Sequence, residues 1–233
     1  MWKPTINFER QTRMKRTWPS LLKTSLLLPV AAIGTSGICL ANPTGGTITA
    51  GSATIASSNK TMTIDQATNK LAINWSTFNI ASGESLNFVQ PSSSSIAVNR
   101  VIGNNPSSIY GSLNANGAVF LLNPSGVLFG KGSSVNVGGL VASTLSLSDA
   151  DFFSSNYHLT GGGGLVLNRG TITAADGGSV ALLGGQAALA ASVENSGVIA
   201  AKGGKVYLTA QAAEALASTV VNNSGVIEAL SIG

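Results

Sequence analysis

Leu167-Asn168-Arg169-Gly170-Thr171-Ile172-Thr173-Ala174-Ala175-Asp176-Gly177-Gly178-Ser179-Val180-Ala181-Leu182 is answered by Glu194-Asn195-Ser196-Gly197-Val198-Ile199-Ala200-Ala201-Lys202-Gly203-Gly204-Lys205-Val206-Tyr207-Leu208. A third copy opens with Asn222-Asn223-Ser224-Gly225-Val226-Ile227-Glu228-Ala229, so that Gly170, Gly197 and Gly225 fall 27 and then 28 residues apart. Each unit carries short apolar segments, at 171–173, 179–182 and 187–190 in the first copy, divided by small or polar turns. One such unit cannot bury its own apolar side, whereas stacked units bury a continuous core of Val, Ile, Leu and Ala. Strands aligned coil over coil form parallel ladders with a repeat of ~4.8 Å. The reading is an all-β chain wound as a right-handed parallel β-helix, although periodicity alone does not set the hand. The paired glycines at 177–178 and 203–204 supply the positive φ of tight corners. Asn168, Asn195 and either Asn222 or Asn223 stand at one place in each copy. They form a hydrogen-bonded ladder or serve as solvated turn formers.

Working back toward the N-terminus, short β-prone runs separated by Gly, Asn and Ser predict strands at 47–49, 61–64, 71–74, 78–80, 86–89 and 95–98. Further strands are expected at 108–110, 119–121, 127–129, 134–137 and 140–142. The one helical expectation is a turn at 148–153 capped by Ser148.

The whole chain has 233 residues, 44% hydrophobic and 9% charged, with 28 glycines and one cysteine. It is too apolar for a disordered polyampholyte and has no disulfide framework. Its formal charge of +4 is a property of one end. Residues 1–23 hold Lys3, Arg10, Arg13, Lys15, Arg16 and Lys23 against Glu9, leaving seven basic and eight acidic residues for the rest. That body offers no basic stripe to neutralise phosphates, so nucleic acid is not an expected partner. The basic start, the apolar run 21–40 and the small residue Ala41 read as a signal peptide over 1–41, cut after Ala41. An uncleaved membrane anchor is the alternative, disfavoured by Pro29 and the late glycines. Cys39 then leaves with the leader, and residues 42–233 form the mature domain without cysteine.

Little supports catalysis, and no cofactor, metal ligand set or catalytic residue is assigned. His158 is the only histidine, which excludes a multi-histidine zinc site. Asp149 and Asp151 are the only closely spaced carboxylates. They leave open a rival reading as a β-helical carbohydrate-processing enzyme, but two acids in a Ser-rich turn more often cap it.

Residues 71–130 are less generic. They read Leu71-Ala72-Ile73-Asn74-Trp75-Ser76-Thr77-Phe78-Asn79-Ile80, then Val98-Asn99-Arg100-Val101, Ser108-Ile109-Tyr110-Gly111, and Asn123-Pro124-Ser125-Gly126-Val127-Leu128-Phe129-Gly130. With Gly139-Leu140-Val141-Ala142-Ser143-Thr144 and Asp149-Ala150-Asp151-Phe152, this order resembles the N-terminal secretion domain of two-partner secretion exoproteins. These are the filamentous haemagglutinin family of Gram-negative bacteria. Ser125 stands where Asn is more usual; Pro124 still fixes φ and Gly126 still accepts an unusual dihedral.

The resemblance covers about residues 42–233 and implies a right-handed β-helix with an N-terminal cap and extra-helical strands. It implies a non-enzymatic, secretion-targeting domain of an adhesin-type protein. Such a chain passes through the periplasm to the surface with the help of an outer-membrane barrel transporter. Asn74, Trp75, Phe78, Asn79, Asn123, Pro124 and Gly126 become the residues expected to serve transporter recognition or nucleation of folding. Their alternative role is structural, with Trp75, Phe78, Phe88 and Phe120 packing the cap and the Asn side chains satisfying buried backbone groups. The chain stops within a third repeat, which fits a truncated product or the head of a larger adhesin that meets a host-cell or matrix surface.

Overall fold

The computed structural model describes residues 42–185, 193–210 and 221–229, all within the compact unit 38–233. The leader, its Cys39 and the cut after Ala41 lie outside the described residues, as does the segment expected at 187–190. The first strands are β1 (Thr47–Ala50), β2 (Ala53–Ser58), β3 (Thr61–Gln66), β4 (Lys70–Trp75), β5 (Ser85–Val89) and β6 (Ile96–Val101). They are followed by β7 (Ser107–Ile109), β8 (Ser112–Ala115), β9 (Ala118–Leu122), β10 (Val127–Phe129), β11 (Ser134–Val137) and β12 (Gly139–Ser143). A short helix α1 (Asp149–Phe153) precedes β13 (Val166–Asn168), β14 (Thr171–Ala174) and β15 (Val180–Gly184). The last are β16 (Val193–Asn195), β17 (Val198–Ala200), β18 (Val206–Ala210), β19 (Val221–Asn223) and β20 (Val226–Glu228).

These strands make the three faces of a right-handed parallel β-helix. One face runs β1-β4-β6-β9-β12-β15-β18, the second β2-β3-β5-β8-β11-β14-β17-β20, and the third β19-β16-β13-β10-β7. From β3 onward, strands close in sequence lie on different faces, and each pairs in parallel with the strand one coil away. Among the strand pairs of the described residues, only β1 against β4 and β2 against β3 run antiparallel. They close the first coil as the N-terminal cap. The expected strand at 78–80 is reduced to a single parallel bridge, Ile80 to Ile109, on the third face.

Alternation with period two aims one side chain of each pair inward. Met62, Leu86, Leu113, Val135, Ile172 and Ile199 therefore stack along one inner wall, facing Leu71, Ala97, Val119, Leu140 and Val180 along another. The repeat glycines act by size as well as by dihedral. Gly177 and Gly203 take φ +77° and +66°, while a Cβ on Gly204 would collide with the Gly178 carbonyl of the coil beneath. The first glycine of each pair turns the chain and the second lets coils close up.

Between β12 and β13 the chain leaves the stack. Ser148 caps α1, its Oγ accepting from Asp151 N and donating to an Asp151 carboxylate oxygen at 2.6 Å. An antiparallel bridge from Ser146 to Thr160 ties the excursion's ends. Phe152 and Leu147 lie on the outward apolar positions Ala72, Val98, Phe120 and Leu122 of the first face, a second small core. Phe120 thus packs under α1 rather than in the cap, because it occupies the outward parity of β9. Lys70 Nζ donates to the carbonyls of Phe152 and Phe153 at 2.8 and 2.9 Å, and Arg100 pairs with Asp149 at 2.7 Å.

Candidate functional site

Trp75 and Phe78 flank the turn where the chain leaves β4, and both are fully buried. Their rings meet edge to face at 5.8 Å. A buried indole N–H must be satisfied, and Trp75 Nε1 donates to Asn99 Oδ1 at 3.0 Å inside the core. Asn99 Nδ2 in turn reaches the carbonyls of Ala97 and Phe120. Asn74, one residue earlier, has the opposite parity and stands on the outer side of β4, paired in register with Arg100. Its Oδ1 is shielded from solvent without a partner among the described residues.

Asn79 and the Asn123–Gly126 turn meet on a common strap, residues 105–108. Asn79 Oδ1 accepts from Ser108 N at 2.8 Å. The fully buried Asn123 donates through Nδ2 to Asn105 O and Ser107 Oγ, both at 3.0 Å. Its Oδ1 accepts from Ser125 N at 3.0 Å, and its carbonyl accepts from Gly126 N at 3.0 Å. Pro124 is exposed at the apex of this turn. Gly126 has φ +127°, and a Cβ there would stand 3.2 Å from Leu165 O. Gly126 O then accepts from Ser107 N at 2.9 Å, sewing the turn to the strap.

Of the seven residues singled out by sequence, the fold gathers Asn79, Asn123, Pro124 and Gly126 around one strap. It buries Trp75 and Phe78 nearby and sends Asn74 to a different surface. The partners Asn99, Asn105 and Ser107 were not singled out, since nothing in their local pattern separates a buried Asn or Ser from one in a turn. Asp149 and Asp151 are committed to Arg100 and to the Ser148 cap, and His158 is exposed. Asn156 Nδ2 also holds Asp151.

The profile described as TPS secretion domain matches residues 40–232, all but the first 39 residues and the last one. The chain belongs to the TPS secretion domain family. A TPS domain is a transport module and not a catalyst, characteristic of exoproteins that cross the periplasm to the surface of Gram-negative bacteria. The crystal structure of the HMW1 secretion domain from Haemophilus influenzae superposes on this TPS domain with a TM-score of 0.67 at 34% identity, over 72% of this chain and 45% of that one. Two proteins of Haemophilus influenzae described as heme/hemopexin-binding protein are each 43% identical to it, over 105 and 99 residues. Those segments are 45% and 42% of this chain but only 12% and 11% of the relatives, which are far longer.

Proposed function

We propose that this TPS domain targets a filamentous haemagglutinin-like exoprotein to an outer-membrane barrel transporter, after residues 1–41 have served as its signal peptide. The observation that carries the reading is the family match over 40–232 together with the convergence of Asn79 and Asn123–Gly126 on one strap. Asn74, Trp75, Phe78, Asn79, Asn123, Pro124 and Gly126 divide between two tasks in this reading. Trp75, Phe78, Asn123 and Gly126 nucleate the first coils, because their contacts are internal. Pro124, Asn79 and Asn74 are the exposed or half-exposed members that a transporter can touch. Contact with a host-cell or matrix surface belongs to a longer parent protein.

The test is export of the chain from cells with and without a co-expressed outer-membrane barrel transporter of the two-partner secretion type. Release into the medium should require that partner. Release without it, or retention in the periplasm with it, refutes the proposal. Pro124→Ala separates the two tasks, since Pro124 makes no hydrogen bond among the described residues and its loss should leave the fold intact. Export that falls while the purified domain melts normally assigns Pro124 to recognition.

A further inference from the structure

Between the bend at 79–82 and the strap 105–108 lies an open cleft of about 570 Å³, lined by Asn79, Ile80, Ala81, Ser82, Asn105, Pro106, Ser108 and Tyr110. Its size falls within the range of small-molecule sites. No charged side chain lines it. The carboxylate of Glu84 is buried behind the bend, one oxygen accepting from Ala81 N.

The walls are held in place by the backbone. Ile80 N donates to Ser108 O at 3.0 Å and Tyr110 N to Ile80 O at 2.7 Å, while the Asn123 amide fixes the Asn105 carbonyl from behind. Because Asn79 Oδ1 takes the Ser108 N–H, its Nδ2 is left as a donor. Among the described residues, no hydrogen bond engages Asn79 Nδ2, the Asn105 side-chain amide, the hydroxyls of Ser82 and Ser108, or the Tyr110 hydroxyl. The Tyr110 ring lies flat against Gly130, where any Cβ would collide with it, and the residue is 43% exposed. The ring is thus held against backbone on the Gly130 side, while the residue borders the cleft and is partly exposed.

A preorganised aromatic face beside several unengaged, uncharged donors and acceptors matches one ligand chemistry closely. Pyranose rings present a C–H face that stacks on an aromatic ring and an edge of neutral hydroxyls. We propose that this cleft binds an uncharged sugar ring of a glycan, stacked on Tyr110 and hydrogen-bonded by Asn79, Asn105, Ser82 and Ser108. The absence of charge argues against sulfated or carboxylated glycans, whose burial there would lack a counter-charge. The cleft shares Asn79 with the transport reading, whereas Tyr110 and the side chains of Ser82 and Asn105 are not among the residues assigned to that task and therefore carry the test.

The experiment is saturation-transfer and chemical-shift NMR on the full secreted chain with cellotriose, maltotriose and chitotriose. A hyaluronate tetrasaccharide and an uncharged Ser-Gly-Asn peptide serve as comparison probes. At least one neutral trisaccharide should bind and shift the Tyr110 and Asn79 signals. Tyr110→Ala should weaken that binding about tenfold, the scale of one lost stacking contact, while Tyr110→Phe retains most of it. Export through the barrel partner should be unchanged in both variants, so that failure here and failure of the transport reading are told apart. Should Tyr110→Ala not fold, the pair Ser82→Ala and Asn105→Ala carries the same expectation. The proposal is overturned if no neutral sugar binds or if only the acidic probe does. It is equally overturned if the peptide alone shifts Tyr110, or if a folded Tyr110→Ala binds sugar as before.

Discussion

Replacing Asn123 by Ala asks how much of the Asn-Pro-Ser-Gly element is structural. Asn123 is fully buried and makes three side-chain hydrogen bonds, to Asn105 O, Ser107 Oγ and Ser125 N, each at 3.0 Å. A net hydrogen bond is worth about 1 kcal/mol, and a buried group left without a partner costs about 1–3 kcal/mol. Ser107 is itself fully buried, so its hydroxyl cannot turn to water. The substitution should therefore cost about 3 kcal/mol. With a urea m-value of about 2–3 kcal/mol/M, the unfolding midpoint should fall by about 1 M or more. Ser107→Ala should cost only about 1 kcal/mol, because Asn123 Nδ2 keeps its bond to Asn105 O. Urea titration of the purified domain by circular dichroism measures both, and amide exchange at Ser125 and Ser107 shows whether the opening is local. Equal costs for the two variants, or a loss under about 0.5 kcal/mol for Asn123→Ala, would refute this account of the turn. If export falls in step with stability across the two, the turn acts through folding.

Gly126→Ala should destabilise by about 1–2 kcal/mol, since an L side chain at φ +127° is strained; thermal melting measures it. Asn195→Ala breaks a ladder in which Asn168 Nδ2 donates to Asn195 at 2.8 Å and Asn195 Nδ2 donates to Asn223 at 2.7 Å. Amide exchange should quicken in β16 and β19 and stay slow in β4, because coils couple only to neighbours. Phe152→Ala should cost about 3–5 kcal/mol and bare the outward patch around Phe120, raising binding of a hydrophobic dye. Asp149→Asn should cost under about 1 kcal/mol by the same melting assay, since Asp149 is half exposed and its pair with Arg100 is screened.

The coil architecture was legible because it is written twice, in residues 167–182 and 194–208, and a repeat implies a neighbour for every apolar face. The ladder was legible only in outline. Both Asn222 and Asn223 fitted the pattern, and the register that pairs Asn195 with Asn223 decides between them. A second ladder, Asn114 donating to Asn87 at 2.9 Å and Asn136 to Asn114 at 3.3 Å, went unseen because its coils differ in length. β2 was also missed, since its sequence of small residues, ATIASS, carries too weak an alternation. β13 (VLN), β16 (VEN) and β19 (VNN) each end in the ladder Asn and carry too little apolar sequence to stand out from the turns around them. Of the candidate site, the residue types were visible and the partition was not. Parity along β4 sends Trp75 inward and Asn74 outward, and only the register of β4 with β6 fixes that parity.

The excursion around α1 sets a constraint on the order of folding that the coils do not. Within the stack, each strand meets the strand one coil earlier, so every coil can form on the edge left by its predecessor. α1 breaks this rule. Its carbonyls bind Lys70 across 82 and 83 residues, and Arg100 reaches Leu147 O across 47. Ala72, Val98, Phe120 and Leu122 therefore keep an outward apolar face until the chain beyond Phe152 has arrived. Whatever the order in which the coils form, the outer cover of these positions comes from sequence that follows β12. Ending such a domain before α1 would leave an apolar patch on the first face, which is a physical reason for the secretion unit to extend past the coils that carry Asn74 to Gly126.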